Sequence, residues 1–164
     1  AAALRCCVAR TREGQMQETK HYEFAMKRAL ELALNGPAIG VNPQVGAVIL
    51  DSAGEIVAEG WHQGAGTDHA EVMALKQLFE KTGSSKIPAD FTAVVTLEPC
   101  NHQGRTGPCS QALIDAGISR VVYASSDPGE NSSKGSLQLK EAGIEVISGV
   151  LLSQAEDQGR VWLT

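Results

Sequence analysis

No stretch of this 164-residue chain approaches the run of about 18 apolar residues that a membrane-spanning helix needs, so no crossing of a bilayer is expected. Basic residues are outnumbered 14 to 19, for a formal net charge of -5, and the basic stripe typical of broad nucleic-acid binders is missing. Nothing at the start reads as a secretory signal, because the apolar run in Ala1 to Val8 is too short and Arg5 interrupts it. Internal repeats, low-complexity segments and a glycine-rich dinucleotide fingerprint are all absent. Cysteine is sparse: Cys6, Cys7, Cys100 and Cys109. So few thiols in a longer, non-secreted chain point to metal ligands or free thiols in a cytoplasmic protein rather than to bridges. What remains is 43% hydrophobic and 20% charged residues, a balance that places the chain among globular domains able to bury a core without covalent staples.

Periodicity gives the elements. Tyr22, Ala25, Met26, Ala29, Leu30, Ala33 and Leu34 recur at helical spacing, predicting an amphipathic helix over 21–35 that Gly36-Pro37 ends. Val45 to Leu50 is a continuous apolar run, a strand buried on both faces, and the turn 51–54 returns the chain into a partner strand over 55–61. A helix from near His69 through Phe79 follows, then a strand over 91–97 and a short helix over 110–116 closed by Gly117. A strand over 120–125, a helix over 134–142, a strand over 144–147 and a helical tail over 153–164 complete the reading. Strands alternating with helices after an initial hairpin predict an α/β fold: a mixed five-stranded sheet between two helical layers.

The chemistry concentrates in the thirteen residues from Leu97 to Cys109, which hold two thiols, His102 and Arg105. A connecting loop needs turn formers, not two cysteines. Catalytic zinc takes three protein ligands and keeps a position open, and Cys100 and Cys109 supply two of the three. His69 is the candidate third, two residues before Glu71 at a predicted helix start. Zinc acidifies water, and a carboxylate beside the ion that is not itself a ligand can carry the proton to a leaving amine, which is hydrolytic deamination. Both half-sites fall where strands end and helices begin. Cys6 and Cys7 are poor chelators as adjacent residues and read as bystanders. Glu98 reads either as an orienting partner of the site or as a satisfied strand-end carboxylate.

His69-Ala70-Glu71 followed by Pro99-Cys100 fits the general signature of zinc-dependent base deaminases, except that eight residues separate the two cysteines instead of two. This long form resembles the riboflavin-biosynthesis pyrimidine deaminase family. The likeness spans roughly residues 21–150 and takes in Asn42-Pro43-Gln44-Val45-Gly46-Ala47-Val48, Gly60-Trp61-His62, His69-Ala70-Glu71-Val72, the cysteine cluster and Asp127-Pro128. It implies a cytidine-deaminase-like fold, a resident Zn2+ held by His69, Cys100 and Cys109, and Glu71 as the catalytic proton carrier. The implied substrate is 2,5-diamino-6-(5-phosphoribosylamino)pyrimidin-4-one, with Asn42 and His62 on the pyrimidine edge and His102, Arg105 and Asp127 on the phosphoribosyl part.

A guanidinium fork suits phosphate oxygens, which supports Arg105 in that role, and Lys134 stands where it can assist. Two positions depart from the family pattern: Gly129-Glu130 replaces Asn-Pro, and Gly107 replaces the first proline of the cluster's usual pair. The expected domains are an N-terminal extension over 1–20, the deaminase over 21–150, and a C-terminal helix or linker start over 151–164. Many family members continue into a nicotinamide-dependent reductase there, and reductase activity is not expected of these residues. Three arginines and no acid in residues 1–12 also fit a transit-type remnant. The expected partners are the phosphorylated aminopyrimidine and other copies of the chain, with no nucleic acid and no membrane. Two other readings stay open, a deaminase of another free base or nucleotide and a non-enzymatic zinc-stabilised binding module with His102 as fourth ligand.

Overall fold

Alternation along three neighbouring strands decides which helix packs where. In a computed structural model, which describes residues 12–36, 44–64, 67–100, 109–126 and 133–163, Ala47, Ile49, Ala93, Val95 and Val121 point to one side of the sheet and Val48, Leu50, Val94 and Val122 to the other. Both sets are buried, as the continuous apolar runs require of strands covered on both faces. Each fully buried valine of this kind contributes roughly 1.5–3 kcal/mol of transfer free energy.

The elements run α1 (Arg12–Ala33), β1 (Gly46–Leu50), β2 (Ile56–Trp61), α2 (Ala70–Thr82), β3 (Thr92–Leu97), α3 (Cys109–Ala116), β4 (Arg120–Ser125), α4 (Ser133–Glu141), β5 (Glu145–Ile147) and α5 (Leu152–Leu163). They form one five-stranded sheet in the order β2-β1-β3-β4-β5. β1 pairs antiparallel with both β2 and β3, while β3, β4 and β5 are mutually parallel. β1 therefore runs against the other four, and the C-terminal ends of β2, β3 and β4 lie at the same edge. Open α/β sheets place their sites at that edge.

One face carries α2, α3 and Leu139 of α4; the other carries α1 and Ala155 of α5. The three-layer architecture expected from the sequence is the one observed, and every strand expected from it is present within a residue of its predicted bounds. α1 differs in both its limits. It begins at Arg12, ten residues before Tyr22 opens the apolar stripe, because residues such as Glu13, Gln15 and Met16 have high intrinsic helix propensity. It ends at Ala33 in a tight turn of i to i+3 hydrogen bonds, so Leu34, expected on the buried stripe, is 60% exposed, and Leu32 is buried in the helix above it. No helix among the described residues is long and apolar enough to cross a membrane.

Candidate metal centre and active site

The peptide after β2 sets the first half of the site. Gly60 lets α2 approach so closely that a Cβ there would lie 2.3 Å from the Ala70 carbonyl oxygen. That contact fixes the first turn of α2. His69 is its N-cap, with extended backbone (φ -67°, ψ 161°) and no capping bond from its side chain, so the imidazole is available to the site instead. Glu71 follows within the first turn. Next to them His62 is buried, its ring meeting that of His69 edge to face at 5.2 Å and its Nδ1 lying 3.2 Å from the Asp68 carbonyl.

The second half comes from the end of β3 and the start of α3. Cys100 and Cys109 are both buried free thiols, and the backbone N–H of Ser110 donates to the Cys100 carbonyl at 3.2 Å, tying the two segments together. His69 Nδ1 lies 3.0 Å from Cys109 Sγ and 3.6 Å from Cys100 Sγ, and all three donor atoms lie within 4.8 Å of one another. Donors on a tetrahedral zinc stand roughly 3.5 Å apart, given bonds of about 2.0–2.3 Å. The three side chains that the sequence placed far apart are thus at ion-binding separation.

The electrostatics fit a cation. Without one, the hydrogen bond with the Cys109 thiol and, after it, the neighbouring imidazole draw the Cys100 thiol down to about 3, while the same pairing and then burial push Cys109 up. Two sulfurs this close cannot both be thiolates unless a positive charge lies between them, and a divalent ion lets both ionise. The hydrogen bond to Cys100 raises His69 above its ordinary range. Burial raises Glu71, which is 5% exposed and whose Oε2 has no hydrogen-bond partner among the described residues. An orphaned buried carboxylate oxygen costs about 1–3 kcal/mol or more, and it marks a place where a water or substrate belongs.

Of the other residues singled out in the sequence, Asn42, His102, Arg105 and Asp127 lie outside the described residues, as do Cys6 and Cys7. Glu98 is buried and satisfied: its Oε2 accepts from both the N–H and the hydroxyl of Ser136 at 3.2 and 2.5 Å. Sequence reasoning missed this partner, along with Ser110, Gln138 and Tyr123 around it, because isolated polar residues within helices and strands carry no periodic signal.

Comparison with known proteins agrees with this geometry. Residues 19–125 match the family described as the cytidine and deoxycytidylate deaminase zinc-binding region. The riboflavin biosynthesis protein RibD of Escherichia coli is 47% identical over 143 residues, covering 86% of this chain and 37% of that protein. The diaminohydroxyphosphoribosylamino-pyrimidine deaminase of Buchnera aphidicola from Acyrthosiphon pisum is 45% identical over 139 residues, covering 84% of this chain and 90% of that one. Among solved structures, the Thermotoga maritima diaminohydroxyphosphoribosylaminopyrimidine deaminase/5-amino-6-(5-phosphoribosylamino)uracil reductase superposes with a TM-score of 0.81 at 40% identity, over 90% of this chain and 41% of that one. The chain therefore spans about two fifths of the Escherichia coli and Thermotoga maritima relatives and 90% of the Buchnera aphidicola deaminase. By its matched region, its aligned relatives and its fold, it belongs to the cytidine and deoxycytidylate deaminase zinc-binding family, among the diaminohydroxyphosphoribosylaminopyrimidine deaminases.

Proposed function

We propose that this chain catalyses hydrolytic deamination of 2,5-diamino-6-(5-phosphoribosylamino)pyrimidin-4-one, giving the corresponding uracil derivative and ammonia. His69, Cys100 and Cys109 form the zinc-binding set. When bound, the metal supplies Lewis acidity that makes water a nucleophile near neutral pH. Glu71 removes a proton from that water and delivers it to the departing amine. Burial raises its proton affinity in the metal-free chain. His62, buried against His69, faces the pyrimidine with Asn42, and His102, Arg105 and Asp127 take the phosphoribosyl group. The net charge of -5 speaks against nucleic acid as substrate, and a reducing compartment such as the cytoplasm would keep Cys100 and Cys109 available as ligands. We extend the reading to a homo-oligomer.

The observation that carries this reading is the buried Glu71 Oε2, without a partner among the described residues, beside three convergent donors. A closed structural zinc site has no use for such an oxygen, so an enzyme is favoured over a zinc-stabilised binding module. The test is ammonia release from the phosphorylated diaminopyrimidine, from its dephosphorylated form, and from a panel of free bases, pterins and nucleotides. Preference for the phosphorylated diaminopyrimidine is the expected result. Equal or better turnover of another base or nucleotide would transfer the assignment to that substrate.

A further inference from the structure

Cys100 lies three residues past the end of β3 and Cys109 opens α3, with eight residues between them; one backbone bond, from Ser110 N–H to the Cys100 carbonyl, ties the two segments directly, and α4 adds a contact beside each cysteine. At its start, Gly135 abuts the residue before Cys100: a Cβ there would lie 2.0 Å from the Pro99 carbonyl oxygen. One residue on, Ser136 binds the buried Glu98 carboxylate through both its N–H and its hydroxyl. That hydroxyl has one proton, which goes to Glu98, so the Tyr123 hydroxyl at 3.1 Å is the donor to Ser136 Oγ. Glu98 in turn donates its own N–H to the Ser125 carbonyl at 2.9 Å, which anchors the end of β3 to the end of β4.

The second handle reaches the other cysteine. Ser110, fully buried directly after Cys109, donates its hydroxyl to Gln138 Oε1 at 2.8 Å. Gln138 Nε2 donates to Gln111 Oε1 at 2.8 Å, and Gln111 Nε2 donates to Asp115 at 2.8 Å along α3. Two side chains of one helix thus hold Glu98-Pro99 before one sulfur and Ser110-Gln111 after the other.

We propose that Ser136 and Gln138 are positioning residues for the metal centre, and that α4 is the brace that sets the spacing of Cys100 and Cys109. This rests on reading His69, Cys100 and Cys109 as the zinc set. Groups that orient metal ligands typically change metal affinity by about 10- to 100-fold when removed, and these act through Glu98, two residues before Cys100, and Ser110, one residue after Cys109, so the lower end applies.

The test uses the zinc-loaded chain and requires no substrate. Ser136→Ala and Gln138→Leu should each speed zinc transfer to a chromophoric chelator by about 10-fold and alter the thiolate-to-metal band of the cobalt-substituted protein. Ser136→Thr, which keeps the hydroxyl, should restore both, and Lys140→Ala on the exposed side of α4 should change neither. A packing role alone would lower the unfolding midpoints of metal-free and metal-loaded protein equally and leave zinc transfer and the cobalt spectrum as in wild type; that result refutes the brace. Should Ser136→Ala fail to fold, Gln138→Leu decides alone by the same readouts. If the wild type binds no zinc, the zinc set itself is wrong, an outcome distinct from wild-type binding with unaltered variants.

Discussion

Glu71→Gln separates catalysis from stability at a single atom. The substitution keeps the shape of the side chain and removes its ability to carry a proton. General acid–base catalysis is worth about 10²- to 10⁴-fold, and a group that serves both proton transfers belongs at the upper end, so kcat should fall by about 10³- to 10⁴-fold, roughly 4 to 5 kcal/mol of barrier. Zinc content should be unchanged, because Glu71 is not among the three convergent donors. Stability of the metal-free protein should move the other way. Burial raises the proton affinity of Glu71 in the folded chain, so the folded state binds this proton more tightly than the unfolded state does. Its contribution is therefore most favourable below the ordinary glutamate value of about 4.3 and is lost as pH rises through the higher folded value. The glutamine variant escapes that loss. Metal-free Glu71→Gln should be more stable than wild type near neutral pH by on the order of 1 kcal/mol, with the gap closing towards pH 4. Steady-state ammonia release, zinc content and urea unfolding of metal-free protein from pH 4 to 8 provide the measurements. A loss of turnover below tenfold, or one that merely tracks lost zinc, refutes the proton-carrier role. A glutamine variant less stable at neutral pH refutes the burial argument.

Cys109→Ala should lose bound zinc and turnover together, as seen by metal analysis and ammonia release; near-stoichiometric zinc in this variant would remove Cys109 from the set. Chelator treatment should lower the thermal midpoint of the wild type reversibly, with zinc restoring it, since an ion that binds only the folded state stabilises it by mass action. Arg105→Gln should raise KM for the phosphorylated substrate by about tenfold or more while sparing turnover of the dephosphorylated one, because a bidentate, charge-assisted contact is lost. Gly60→Ala should destabilise the fold by about 1–3 kcal/mol in urea unfolding, because its methyl group would press on the backbone that carries His69 and Glu71.

The fold was legible wherever burial leaves a periodic mark. Residues 45–50 and 91–97 read as strands because both faces of the sheet are covered and no polar residue is tolerated in β1. The start of α1 was not legible, because a polar helix segment has no stripe to detect. At the site, His69, Glu71, Cys100 and Cys109 stood out by residue type, since thiols and imidazoles are rare enough to be conspicuous. Ser136 and Gln138 could not stand out. Their meaning lies in which segments they join, and serine and glutamine are ordinary residues on a helix. The order β2-β1-β3 was equally hidden, because the sequence shows that β1 is buried on both sides but not which strands flank it.

Three glycines explain how elements so distant in sequence deliver their side chains to one point. A Cβ on Gly36 would lie 2.4 Å from the carbonyl oxygen of His62, one on Gly60 would lie 2.3 Å from that of Ala70, and one on Gly135 would lie 2.0 Å from that of Pro99. Each faces the backbone of a residue that is in the site or adjoins one that is: His62 itself, the residue between His69 and Glu71, and the residue before Cys100. Only a residue without a side chain permits backbones to approach this closely. Side-chain packing alone would leave these segments free to shift by a fraction of an ångström, whereas direct contact between backbones limits that motion. Metal donors must converge to within a few tenths of an ångström of their bonding separations, so the site needs the tighter constraint. Glycine at 60 and 135 thus supports the segments that carry the candidate metal donors, and glycine at 36 supports the neighbouring His62.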